Sequence, residues 1–217
     1  MPPPIVFDLD GTLVDSLPGI ALAANTLLAG EGLAPLPERR IGGFVGHGER
    51  VFLQRLIAAA GLPEDAFDRL LPRFMSIYVE ASRETRLFPH VAEVLDAFAA
   101  RGVGLGLCSN KPSGPLEAVL DAAGLRGVFA IVVAGDSLPQ RKPDPAPLLH
   151  ALARLPGQGG LYVGDSPVDA ETAQRAGVPF ALFTEGIREV PVDEIPHDRA
   201  FADMRNLPAI YVALTAG

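Results

Sequence analysis

The chain has 217 residues, 48% of them hydrophobic, enough for one large domain or for a core domain with a smaller insert. A formal net charge of −8 argues against a nucleic-acid or membrane-surface partner, since both want a basic face; an anionic small substrate then needs local positive groups. The single cysteine, Cys108, excludes an internal disulfide and suits a reducing compartment. The first apolar run, PIVFDL (4–9), reads as a buried strand. It ends on Asp8 and Asp10 and turns at once on Gly11. Like charges so close disfavour each other's ionisation, so a positive group is expected there, or one carboxylate keeps its proton.

From 16 to about 84 no strand is convincing. SLPGIALAANTLLAGEG, ERVFLQRLIAAAGL and EDAFDRLLPRFMSIYVEAS read as amphipathic helices. The expectation is an all-helical cap, 16–84, inserted into a core made of 1–15 and 85–217. Beyond RLFPH the pattern alternates: helix 89–101, strand 104–109, helix 113–123, strand 130–135, helix 145–154, strand 160–165, helix 167–176 and strand 179–183. Such alternation predicts an α/β fold, a Rossmann-like parallel sheet with helices on both faces. Gly102, Gly124 and Gly177 follow helical runs where a left-handed residue is needed.

The chemistry-bearing residues fall at the carboxyl ends of these strands, the edge at which open parallel sheets bind ligands. Asp8 and Asp10 end the first, Ser109 and Asn110 the second; Lys142 in QRKPDP follows the third. Asp165 ends the fourth in GDSPVD, with Asp169 four residues on. Cys108 reads as a small buried strand residue, and His90, His150 and His197 as ordinary loop or helix positions.

FDLDGTLVDS, CSNK, Lys142 in RKPDP and GDSPVD, in that order, resemble the four motifs of the haloacid dehalogenase superfamily over nearly the whole chain. The insert resembles that family's C1 helical cap, and GFVGHGERVFLQRLI, GLCSNKP and VGDSPVDAETAQRAG look most like its phosphoglycolate phosphatase branch. The resemblance implies Mg²⁺ as cofactor, bound by carboxylate oxygens of Asp8 and Asp165 and by the Asp10 carbonyl. It implies that Asp8 is the nucleophile, forming an aspartyl phosphate, and that Asp10 is acid and then base. Lys142, Ser109 and backbone amides near Leu9–Gly11 and at Asn110 would hold the phosphoryl group. Thr12 is expected to orient Asp10, and Asp169 to support the metal or the lysine.

The cap loop GGFVGHGER (42–50) is expected to read the substrate's far end, through amides at a helix start and through His47 and Arg50. The substrate expected is a small anionic phosphomonoester, 2-phosphoglycolate by resemblance. A sugar phosphomutase, a pyrophosphatase or a sugar-phosphate phosphatase of the same fold stays open, as does a catalytically dead binding module. Mutases of the fold tend to carry an acidic pair where this chain has Gly164-Asp165, and a dead module would have lost one of Asp8, Asp10 or Asp165. No leader is read at the start and no apolar run is long enough for a bilayer, so cytoplasmic residence is expected. A monomer and a dimer are both compatible with these features.

Overall fold

Ile5–Phe7 form β1, buried on every residue, in a computed structural model that describes residues 1–216. After a tight turn at Gly11, whose φ of 80° suits a residue without Cβ, comes the short β2 (Val14–Asp15). Four helices follow: α1 (Leu17–Gly30), α2 (Glu38–Gly42), α3 (Glu49–Ala59) and α4 (Phe67–Ser82). Their apolar faces meet in a core of their own around Leu27, Leu53, Leu70 and Phe74. Phe52 and Tyr78 stack on Phe74 with ring centroids 5.3 and 5.4 Å away. β3 (Arg86–Leu87) then returns antiparallel to β2, Val14 opposite Leu87. The helical layer thus begins and ends at neighbouring points of the chain.

The rest alternates: α5 (Val91–Ala100), β4 (Leu105–Cys108), α6 (Ser113–Ala122), β5 (Ile131–Val133), α7 (Ala146–Leu152), β6 (Leu161–Gly164), α8 (Pro167–Ala176) and β7 (Phe180–Phe183). β8 (Arg199–Phe201) and α9 (Leu207–Thr215) complete it. All neighbours in the six-stranded sheet are parallel, in the order β5-β4-β1-β6-β7-β8. Ile5 and Phe7 face one apolar core and Val6 the other, as the strand's two-residue period requires. From β1 the sheet runs one way through β4 and β5 and the other way through β6, β7 and β8. Strand order therefore reverses at β1, and a crevice opens at its carboxyl end, where Asp8 stands.

The α/β fold with helices inserted after the first strand agrees with the sequence reading, and Gly102, Gly124 and Gly177 do take positive φ (71°, 69° and 66°). The sheet has one more strand than the five expected. β8 is RAF with two exposed residues, so no apolar run announces it. No helix among the described residues is long and apolar enough to cross a membrane.

Candidate active site

At the carboxyl edge, Asp8, Lys142 and Asp169 form a buried chain of charge. Lys142 Nζ, 5% exposed as a residue, lies 2.9 Å from Asp8 Oδ1 and 2.7 Å from Asp169 Oδ1. The Tyr162 hydroxyl, on β6, accepts from Lys142 at 2.8 Å and donates to Asp169 Oδ1 at 2.8 Å. Asp169 is fixed by the start of α8, where it exchanges hydrogen bonds with Ser166 in a capping box. A Cβ on Gly164 would lie 2.5 Å from the Asp169 Cβ, so glycine is required for α8 to pack this close to β6. Lys142 is thus aimed at Asp8 by partners on β6 and α8.

Burial pushes the Asp8 carboxyl up to about 7, with Lys142 opposing and Asp169 reinforcing. Burial raises Asp165 well above its ordinary value too, helped by Asp169 and Asp8. Burial also works against Asp169, but Lys142 outweighs it and holds this carboxyl below the usual range. Lys142 stays above its ordinary value because Asp169 and Asp8 overcome the burial that disfavours its charge. Of the three carboxylates, only Asp169 is fully compensated by protein groups.

That imbalance, rather than any bound ion, tests whether a metal fits. Oxygens of Asp8, Asp165 and Asp169 lie within 4.8 Å of one another, and Asp8 Oδ1 is buried with no hydrogen bond of acceptable geometry despite its contact with Lys142. Asp165 is pinned by Thr12 Oγ1 (2.8 Å) and by the Ile187 amide (2.7 Å), leaving oxygen lone pairs free. Gly11 and Gly186 back directly onto its carboxylate, and a Cβ on either would collide with it. Hard oxygen donors in two under-compensated carboxylates suit Mg²⁺. Asp169, saturated by Lys142, Tyr162 and Ser166, serves the lysine instead.

The cap covers this edge and leaves a cavity between the layers. Its floor holds Asp8, Asp10, Ser109, Lys142 and Asp165, and its cap wall is Ile20, Val45, Phe52 and Phe74, with Glu49 and Tyr78. Two polar contacts hold the cap loop down. Asn110 Nδ2 donates to the Gly46 carbonyl at 2.9 Å, and Arg141 grips Glu49 through two bonds of 2.8 and 3.1 Å. Within the cavity Lys111 Nζ donates to Asp10 Oδ1 at 3.0 Å and to the Tyr78 hydroxyl of α4 at 2.7 Å. Burial disfavours its charge, yet Asp10 and Tyr78 hold the ammonium above its ordinary value. Tyr78 is pushed up to about 12 by burial, so its hydroxyl keeps its proton.

The structure brings Asp8, Asp10, Ser109, Lys142 and Asp165 to one cavity and puts Asp169 and Thr12 behind them. Three expectations need correction, those for Thr12, Arg50 and His47. Thr12 orients Asp165, not Asp10. Asn110 lines the cavity; its side-chain amide ties loops, bonded to the Lys142 backbone (2.9 Å to N, 2.8 Å to O) and to Gly46, and the sequence reading assigns the phosphoryl group to its backbone amide. Arg50 lies over the Phe67 ring, 4.9 Å from the centroid, and His47 is exposed; neither lines the cavity. The reason lies in α3: its first residue, Glu49, faces inward and puts a carboxylate at the helix's positive end, while Arg50, about 100° further round, faces out. Lys111, Tyr78, Tyr162 and the Glu49–Arg141 pair were missed. Nothing in CSNK marks Lys111, and both tyrosines lie inside apolar patterns, a helix and a strand, that give no sign of their hydroxyls' roles.

A family model described as haloacid dehalogenase-like hydrolase matches residues 5–183. A phosphoglycolate phosphatase of Cereibacter sphaeroides is 46% identical over 217 residues, 99% of this chain and 100% of that protein. One from Rhodospirillum rubrum is 43% identical over 216 residues, 95% and 90% of the respective chains. A crystal structure from Haemophilus somnus, described as a predicted phosphoglycolate phosphatase, superposes with a TM-score of 0.90 at 34% identity, covering 95% of this chain and 96% of that one. With the two-layered fold and the carboxylate–lysine edge above, these matches show that the chain belongs to the haloacid dehalogenase-like hydrolases and is a phosphatase of that family.

Proposed function

We propose that the protein hydrolyses 2-phosphoglycolate to glycolate and phosphate, with Mg²⁺ as cofactor and a phosphorylated Asp8 as intermediate. The observation that carries the chemistry is the gathering of Asp8, Asp10, Ser109, Lys142 and Asp165 around one covered cavity. The substrate is supported by the name shared by full-length relatives at 43–46% identity. Mg²⁺ held by Asp8, Asp165 and the Asp10 carbonyl would neutralise charge on the transferring group.

Asp8 attacks phosphorus through a carboxylate oxygen, and the bond to the ester oxygen breaks. Asp10, at the cavity floor, gives its proton to the departing alkoxide of glycolate. Asp10 then takes a proton from a water that attacks the same phosphorus, which releases phosphate and restores Asp8. Lys142 keeps Asp8 and the phosphoryl oxygens from repelling one another, and the Ser109 hydroxyl donates to those oxygens. The cap excludes other water while the intermediate lasts. Cytoplasmic residence belongs to the same reading, since the one cysteine is buried and free.

The test is phosphate release from a panel of monoesters, with Mg²⁺ and with excess EDTA. The expected result is the highest kcat/KM for 2-phosphoglycolate, lost in EDTA and restored by Mg²⁺. Preference for a hexose phosphate overturns the substrate, full activity in EDTA overturns the cofactor, and no release from any ester overturns the chemistry.

A further inference from the structure

Two ammonium groups line the cavity, and they differ in how far the protein has used them. Lys142 is enclosed by Asp8, Asp169 and Tyr162. Lys111, its side chain fully buried, has two acceptors, Asp10 Oδ1 and the Tyr78 hydroxyl, with the Tyr78 ring 4.4 Å from Nζ. An ammonium carries three N–H donors, so one of them is left without a protein acceptor among the described residues, inside a cavity.

A ligand atom at that donor has a definite chemistry. The departing oxygen of a phosphomonoester takes its proton from Asp10 and so sits roughly 2.5–3.0 Å from it. In 2-phosphoglycolate the carboxyl carbon is two bonds beyond that oxygen, roughly 1.5 Å per bond. Lys111 Nζ is 3.0 Å from Asp10 Oδ1, so the far carboxylate falls within reach of the ammonium. Among the described residues, Lys142 is the only other cation lining the cavity, and it serves the phosphoryl end. Arg50 lies on Phe67, Arg55 donates to the Gly43 and Phe44 carbonyls, and Arg141 is taken by Glu49. The remaining cap wall is mostly apolar, where an unpaired carboxylate would be strongly disfavoured.

We infer that Lys111 is the specificity-determining residue that receives the substrate's far carboxylate, an inference that rests on the substrate proposed above. The phosphoryl group is held by one lysine and the carboxylate by the other, with Asp10 between them. Tyr78 carries the link to the cap, since it is the one cap side chain bonded to that ammonium among the described residues.

The experiment compares 2-phosphoglycolate with ethyl phosphate, an ester of similar length without the carboxylate, in the full-length parent and in Lys111→Met, with Lys111→Gln as a second variant should the first not fold. Any disturbance of Asp10 falls on both esters alike. The loss peculiar to 2-phosphoglycolate is expected at about ten- to a hundredfold in kcat/KM, mostly in KM, from one charge-assisted contact. Lys111→Arg is expected to recover part of the ratio. Equal losses on both esters, or none, overturn the role of Lys111 and leave the substrate standing. A parent that does not favour 2-phosphoglycolate over ethyl phosphate overturns both.

Discussion

The floor and the roof of the cavity are built on opposite principles. The floor is a crowded set of charges, each aimed by a second residue: Lys142 by Asp169 and Tyr162, Asp165 by Thr12 and Ile187. The roof is mainly aliphatic and aromatic, resting on its own apolar core, and meets the floor through a few polar contacts. The floor can tolerate almost no substitution, because removing one charge leaves another buried and unpaired. The roof can vary in shape without touching the reacting atoms. In the proposed reading, bond making belongs to the floor, and substrate selection to Lys111 where the floor meets the roof.

The sharpest way to break this contrast is at Asp8. Asp8→Asn should lower turnover on the order of 10⁴-fold or more, since it removes the attacking oxygen, with the fold retained. Its stability also has a sign. In the parent, with EDTA present, burial lifts Asp8 from 3.8 to about 7, so the fold disfavours the ionised form. The Asp8 contribution should be fully present below about pH 4 and lost as pH rises through about 7, so over that window the Asn variant should lose less stability than the parent. Parental turnover, or a steeper pH slope in the variant, would contradict this account of the floor.

Lys142→Met comes next. It strands Asp8 and Asp169 together, so urea unfolding should show a loss of about 3–5 kcal/mol, and kcat/KM should fall on the order of 10²–10³-fold. Parental stability here would mean that the buried charge chain is not what holds the floor. At the seam, Glu49→Gln should raise KM by about three- to tenfold with a smaller change in kcat, because it loosens a charge-assisted pair between cap and core. A pure kcat effect would instead place Glu49 in the chemistry. On the outer side of the roof, Arg50→Ala should leave kcat/KM within about twofold and cost about 0.5 kcal/mol of stability through its lost contact with Phe67. A large loss on 2-phosphoglycolate alone would return the loop to substrate reading.

The floor was the legible layer. Strand ends announce themselves through apolar runs that stop on Asp8, Ser109 and Asp165, and open parallel sheets put such ends on one edge. What the sequence hid were side chains whose role depends on direction around a helix or across a cavity. Arg50 and Glu49 are adjacent, yet only Glu49 points in. Tyr78 and Tyr162 sit in apolar patterns that promise packing, and they do pack; only their hydroxyls take part in the charge network. Lys111 lies two residues beyond Ser109, and nothing in CSNK says that its ammonium reaches back to Asp10. β8 and the β2–β3 pair escaped because two or three residues carry no usable period.

The β2–β3 pair has a consequence for how such a molecule changes over time. Val14 lies opposite Leu87, so the chain leaves and re-enters the sheet layer at adjacent points already hydrogen-bonded together. To the sheet, everything between them is one closed loop, and the entropy of closing a loop grows only logarithmically with its length, about 0.6 kcal/mol per doubling. A longer, shorter or differently folded segment in its place would perturb sheet assembly little, provided it packs on itself as this one does. The pair acts as a socket: the phosphoryl-handling layer stays the same while lids are exchanged, and a new appetite arises by replacing one contiguous stretch of chain.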